Sequence, residues 1–449
     1  MTREELKKTV CAAIAARRDD ILALGNAIYA EPELGYKEAK TAAKVEAMYK
    51  KFGIPYETGL ALTGIKGRLK GKSSRRTVAV LGELDAVVCA DHPKADPISG
   101  AAHCCGHNVQ VAVMTAVGMG LKDAGIMEHL DGDVVLFAVP AEEYVELTYR
   151  DKLRSEGKIE YIGGKPELIR IGAFDDIDMA LQMHVDTLKD PERVRSKKGL
   201  AALSTTSNGF IGKLVRYKGR AAHAAAAPDM GINALQACMM GVTAVNALRE
   251  RFRDSDHVRF HPIITHGGDL VNVVPSDVRM ESYVRAGSVD ALKLYNEQVN
   301  RALGAGATAL GAEVEIRDMP GYLPLNNDAN LNDIFGSNMA AIIGTDRVTV
   351  ADHLSGSTDT GELSQIMPVC HPWIAGITGA LHSKDYEIVD ETLVYIEIAQ
   401  AFAMCVIDLL YGGAVEAERV VKEFKPILSK QGLMDFLQGI KKTTVVGAE

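Results

Sequence analysis

The sequence has no long basic run, no regular cysteine spacing, no internal repeat and no low-complexity segment. A formal charge of -9 with no basic stretch to offset it removes the electrostatic footprint of a nucleic-acid binder. Seven irregularly spaced cysteines among 449 residues are not a disulfide framework. The sequence opens MTREELKK, charged from the third residue, with no apolar core for a signal peptide. Apolar runs such as VAVMTAVGMGL (111–121) are too short for a bilayer and are interrupted by glycine, so no membrane partner is expected. A reducing, cytoplasmic compartment is therefore expected. In it, Cys104 is a core residue beside a ligand rather than half of a disulfide.

What remains is an ordinary globular composition, 47% hydrophobic and 24% charged, which excludes disorder. A chain of 449 residues is too long for one core and implies two or three domains. The first 50 residues have helical spacing: one pattern over EELKKTVCAAIAARRDDILALGNAIYA ends at Glu31-Pro32, and a second, KEAKTAAKVEAMYKKFG, closes at Gly53. RTVAVLGELDA (76–86), DGDVVLFAVPAEE (131–143), DMALQMHVD (178–186) and PWIAGITGALHS (372–383) then read as buried strands with helical patterns between them. That alternation predicts an open, mostly parallel α/β sheet. Residues 207–318 follow a different order, strand–helix–strand–strand–helix–strand, which is the ferredoxin-like pattern. The expected organisation is an α/β domain (1–206 and 319–449) with an α+β domain (207–318) inserted into it. The charged tail after residue 412 is expected to be helical.

In open α/β sheets, ligands gather beyond the carboxyl ends of strands. Asp85, Glu142-Glu143, His184 and His382 each follow one of the four strands, and HCCGHN (103–108) precedes the helix at 109–125. Cys105-Gly106-His107 places a thiolate and an imidazole in one turn, which Gly106 lets the backbone make. Adjacent glutamates suit a metal site that needs one carboxylate ligand and a separate base for water. Asp186 is placed to orient the His184 ring, and His103 to support the metal motif from behind. Alone, each of these residues is more often a packed histidine, a core cysteine or a solvated loop end than a ligand. Together they point to a metal centre. The segment GSTDTGE (356–362) either binds substrate or is a loop in which Asp359 caps the next helix.

GELDA (82–86), HCCGHN (103–108), PAEE (140–143), QMHVD (182–186), GRAAHAAAAPDMGINAL (219–235), GSTDTGELSQIMP (356–368) and GALHS (379–383) occur in the order found in metallopeptidase family 20. They resemble its subfamily D, the hippurate, indoleacetyl-amino-acid and aminobenzoyl-glutamate hydrolases, as does EPELGYKEAKT (31–41). The resemblance spans about residues 10 to 410. It implies a zinc-peptidase-like α/β catalytic domain with an inserted lid that also dimerises. It implies two divalent ions, manganese or zinc, on Cys105, His107, Glu143, His184 and His382, with Cys105 bridging. Glu142 would be the general base for metal-bound hydroxide, and Asp85 would orient a ligand. His223, Asn272 and Arg285 in the inserted domain would contact substrate, His223 from a neighbouring subunit in related dimers. Two positions depart from the commoner pattern: Asn108 stands where many members have Asp, and Glu83 where other branches have a His ligand. The implied activity is hydrolysis of an N-acyl or N-aroyl amino acid. A dipeptidase or carboxypeptidase using the same site is the alternative, and a non-catalytic, metal-stabilised binding protein is the third reading.

Overall fold

The computed structural model describes residues 1–187 and 199–447. Two compact units emerge. The first comprises Met1–Thr205, Asn326–His353 and Glu362–Ile427, and the second Thr206–Leu325, Leu354–Gly361 and Leu428–Glu449. The second unit thus takes in the 354–361 segment and the C-terminal end, which the sequence boundaries at 207 and 318 assign elsewhere.

In the first unit, the N-terminal helical pattern is two helices, Arg3–Ala16 and Arg18–Tyr29, broken at Arg17, which leaves the helical ψ range. Thr2 and Glu5 close the first with a reciprocal capping box. The main sheet runs Tyr56–Leu60, Gly64–Leu69, Asp133–Val139, Thr77–Glu83, Met179–Leu181, Val369–Cys370. Its last four strands are parallel and its first two antiparallel. Every residue of Thr77–Glu83 and Asp133–Val139 is buried, which is why both read as unbroken apolar runs. The helix His107–Asp123 packs on Thr77–Glu83, so closely that a Cβ on Gly82 would lie 2.9 Å from the Val111 Cα.

A second sheet runs Val348–Leu354, Ala201–Ser207, Trp373–Thr378, Glu387–Ile388, with His184–Thr187 beside Trp373–Thr378. The segment read as one strand over 178–186 is therefore two, Met179–Leu181 in the first sheet and His184–Thr187 in the second. Gln182 and Met183 carry the chain across. No glycine or proline separates the two halves, so the pattern did not mark the break.

One helical stretch, Thr392–Leu410, is 19 residues with mean hydropathy 1.9, long and apolar enough by length and composition to cross a membrane. The expectation that all apolar runs are short fails there. It is a core helix: 78% of its hydropathy window is buried, and it packs on Arg3–Ala16, His107–Asp123 and Ala329–Ile343.

The second unit has the expected element order, and its sheet runs Arg259–His266, Asp277–Ala286, Gly209–Lys218, Glu313–Pro320, Thr443–Val446, all antiparallel. The tail is helical over Val415–Glu423 and Lys430–Ile440 but ends in the strand Thr443–Val446. That strand covers one edge of the sheet. Arg259–His266 lies at the other edge.

Candidate metal centre

Cys105 ends a buried loop, and Gly106 follows with φ 87°, the left-handed region that glycine enters without strain. A Cβ on Gly106 would also meet Val185 Cγ2 at 2.3 Å. The turn aims Cys105 inward and starts the helix at His107. His184 opens its strand where the chain changes sheets, and His382 sits in the loop after Trp373–Thr378. The candidate ligands therefore converge from the ends of two sheets, rather than from one rim as the strand reading implied.

The side chains form two triads that share one atom. Ligand atoms of Cys105, His107 and His184 lie within 4.8 Å of one another, as do those of Cys105, Glu143 and His382. The Cys105 Sγ is 3.2 Å from His184 Nε2 and 3.1 Å from His382 Nε2, which is 3.1 Å from Glu143 Oε1. His107 Nδ1 sits 2.8 Å from the Asp85 carbonyl, and His184 Nδ1 sits 2.8 Å from that of Val185. A carbonyl only accepts, so both rings place the proton on Nδ1 and leave Nε2 for the cluster. The carbonyl of Val185 thus supplies the orienting contact assigned to Asp186. Asp85 also takes the Glu142 N–H on Oδ1 (3.1 Å) and the Glu143 N–H on Oδ2 (2.9 Å). Glu142 Oε2 stands 3.8 Å from His107 Nε2. His382 is half exposed while the other ligands are buried.

Without a cation, the acids of this cluster draw protons onto its imidazoles. Burial raises the Cys105 thiol, as does Glu143, but His184 and His107 outweigh both and bring it down to about 6. Burial opposes ionisation of Glu143, yet its bond to His382 and that ring's charge hold it near about 2. His382 goes the other way: burial lowers it, while Cys105 and Glu143 raise it to about 11. His107 rises well above its ordinary value against its own burial, chiefly through Glu83 and Cys105. Protons on imidazoles are thus doing what divalent ions do in such a donor set, and thiolate, imidazole and carboxylate at these separations fit two of them.

Several neighbours escaped the sequence reading. Glu83, noted only as a departure, is fully buried and accepts from Lys165 Nζ (2.5 Å), Gln182 Nε2 (2.6 Å) and Gln110 Nε2 (2.8 Å), with its Oε2 3.0 Å from His107 Nε2. With His107 and Glu142 it forms a third ligand-like group. Lys165 looks like any surface lysine in sequence, and nothing local marks its burial. Trp373 stacks on His184 at 4.4 Å between ring centroids. Asn108 turns away from the ligands and donates to Tyr395 Oη and the Gly25 carbonyl. His103 is buried with neither ring nitrogen bonded, and burial lowers it to about 3, so no hydrogen bond from its ring supports the motif.

The three remaining candidates lie in the second unit. His223 Nδ1 accepts from the N–H groups of Ala225 (3.2 Å) and Ala226 (3.1 Å), which leaves the ring proton on Nε2. Val273, beside Asn272, bridges to His223, and the Asn272 carbonyl accepts from Ala224 N–H. Arg285 lies over Phe210 and Tyr283 and donates to Ser357 Oγ at 2.7 Å, so GSTDTGE contacts one of the candidate substrate residues.

The family model described as peptidase family M20/M25/M40 matches residues 79–404. The chain belongs to this family. It is a hydrolytic enzyme that acts on amides. The Xaa-Arg dipeptidase of Mus musculus is 28% identical, over 96% of this chain and 95% of its own length. An IAA-amino acid hydrolase of Arabidopsis thaliana is 24% identical over 85% of this chain and 84% of its own. Among solved structures, a dinuclear metal-binding peptidase of the M20 family from Bacillus subtilis superposes with a TM-score of 0.67 at 19% identity, covering 88% of this chain and 99% of that one. The family's fold is thus the fold described above.

Two predictions follow from the shared thiolate and the charge balance. Cys105→Ala should lose bound metal while Cys104→Ala, whose side chain packs in the core, keeps it; equal metal content by plasma mass spectrometry would refute the assignment. Because His382 lies above its ordinary 6.5, it is protonated in metal-free protein at pH 7, and metal binding must expel that proton. Zinc titrations in buffers of different ionisation enthalpy should therefore report release of about one proton or more per chain. The release should diminish as the pH rises toward about 11, where His382 gives up its proton in the metal-free protein.

Proposed function

We propose that the protein is a two-metal amidohydrolase that releases an amino acid from an N-acyl or N-aroyl conjugate of the aminobenzoyl-glutamate kind. The two triads sharing Cys105 beside Glu142 carry this reading. Cys105, His107 and His184 would hold one ion, and Cys105, Glu143 and His382 the other. Mixed thiolate, imidazole and carboxylate ligands suit zinc or manganese. When bound, such ions polarise a carbonyl oxygen and make water more acidic. Glu142 takes the proton of the water that attacks the amide carbonyl and returns it to the departing amine nitrogen. Asp85 keeps Glu142 and Glu143 in register by holding their amides. His223, with its proton on Nε2, donates to the carbonyl oxygen as negative charge develops there. Asn272 and Arg285 bind the polar end of the substrate, where a guanidinium suits a carboxylate. Seven free cysteines support a reducing, cytoplasmic setting.

A second reading, hydrolysis of dipeptides, draws on the likeness to an Xaa-Arg dipeptidase over nearly the whole chain. Both use the same centre and differ in the group on the acyl side. We also propose that the enzyme forms a homodimer through the second unit. Its edge strand Arg259–His266 exposes Ile263 and Ile264, and the helix Ala234–Leu248 exposes Met239 and Met240.

Benzoyl-, acetyl- and aminobenzoyl-amino acids assayed against Xaa-Arg and other dipeptides will rank the two substrate classes. Glu142→Gln should lower kcat about 10²- to 10⁴-fold with metal content unchanged. A wild-type rate in that variant would remove Glu142 as the base. Sedimentation velocity should show a dimer that Ile263→Lys dissociates, and a monomeric wild type would rule the dimer out.

A further inference from the structure

The motif EPELGYKEAKT has no part in the chemistry above, yet its last acid reaches the catalytic loop. Glu38 occupies the cap position of the helix Ala39–Phe52, but its side chain does not cap it. Glu33 does so instead, accepting from Lys40 N–H (2.9 Å) and Thr41 N–H (2.8 Å). Glu38 is thereby free to turn inward, where it is fully buried. Its Oε1 accepts from the Ala141 N–H at 2.8 Å, and its Oε2 from Thr63 Oγ1 at 2.7 Å.

Ala141 directly precedes Glu142 and has φ 54°, the left-handed region that an alanine seldom adopts. Its carbonyl is held from the other side by Gly164 N–H at 3.0 Å, where a Cβ on Gly164 would lie 1.6 Å from the Pro140 oxygen. Three successive amides, those of Ala141, Glu142 and Glu143, thus point at three carboxylate oxygens. Asp85 takes two of these amides, one on each oxygen, and Glu38 takes the third. Burial, and then the charge of Asp85, push the Glu38 carboxyl up to about 7. A carboxyl kept in so unfavourable a place is retained for the bonds it makes.

We propose that Glu38 is a positioning residue for the catalytic base, holding Ala141 in its left-handed conformation so that Glu142 faces the metal centre while Glu143 stays on its ligand position. The proposal rests on the reading of Glu142 as base. Its action is local, through one backbone hydrogen bond, and it touches neither substrate nor metal.

Two variants separate this from a merely structural role. Glu38→Ala removes the acceptor; Glu38→Gln keeps an oxygen for Ala141 and an amide group that can donate to Thr63. With Glu38→Ala, hydrogen exchange at the amides of 141–143 should accelerate, and kcat should fall about 10- to 100-fold at constant KM and metal content. Glu38→Gln should restore both to near wild type. Should Glu38→Ala fail to fold, Thr63→Val, which frees one oxygen of Glu38 without opening a large hole, should lower kcat about threefold at constant KM. Unchanged exchange and kcat in Glu38→Ala would overturn the proposal, as would Glu38→Gln being as impaired as Glu38→Ala, or Thr63→Val matching wild type where it serves as the substitute. The exchange measurement needs no substrate. A wild type that cleaves no amide would therefore defeat the functional reading while the clamp is still judged on its own.

Discussion

The first unit is organised around one buried thiolate. Cys105 belongs to both ligand triads, so two halves of the centre cannot be built independently. Sharing one sulfur forces His184 and His382, nearly two hundred residues apart, to within 3.2 and 3.1 Å of the same atom. It also forces the Gly106 turn, because only a left-handed residue lets Cys105 and the first residue of the next helix face one point. The passage of the chain from one sheet to the other at 182–183 serves the same end, by delivering His184 between them.

Concentrating acids in a buried place has an electrostatic cost, and the surroundings divide it. Cys105 and Glu143 are matched by imidazoles that metal would relieve of their protons. Glu83 is matched by Lys165, a fully buried lysine, and by two glutamine amides. Asp85 and Glu38 are matched by backbone N–H groups, and Glu38 by the Thr63 hydroxyl as well. The centre thus combines three kinds of compensation, and only the imidazoles stand to be exchanged for a cation.

Much of this was legible in the chain and much was not. The buried strands announced themselves because a strand covered on both faces carries apolar residues without interruption. Glu142, Glu143, His184 and His382 were picked out as candidates because each follows such a run, and Cys105 and His107 because they flank a glycine turn before a helix, all with side chains able to bind metal or protons. The break at 182–183 was hidden because no glycine or proline marks it. The partners of Asn108 and the burial of Lys165 were hidden because neither has a local signature. The closing strand Thr443–Val446 was read as part of a helical tail, since its pairing with Glu313–Pro320 spans more than a hundred residues.

By itself, then, the sequence determined most element types, the order of the ferredoxin-like block, and most of the residues whose side chains could bind metal. These follow from periodicity and residue chemistry, which act over a few neighbours. Only the tertiary structure decided which ligands share an atom, which acids are paired with lysine, imidazole or backbone, and that Glu38 reaches Ala141 across 103 positions. Those outcomes depend on distances between segments far apart in the chain, and burial there changes what each charge costs.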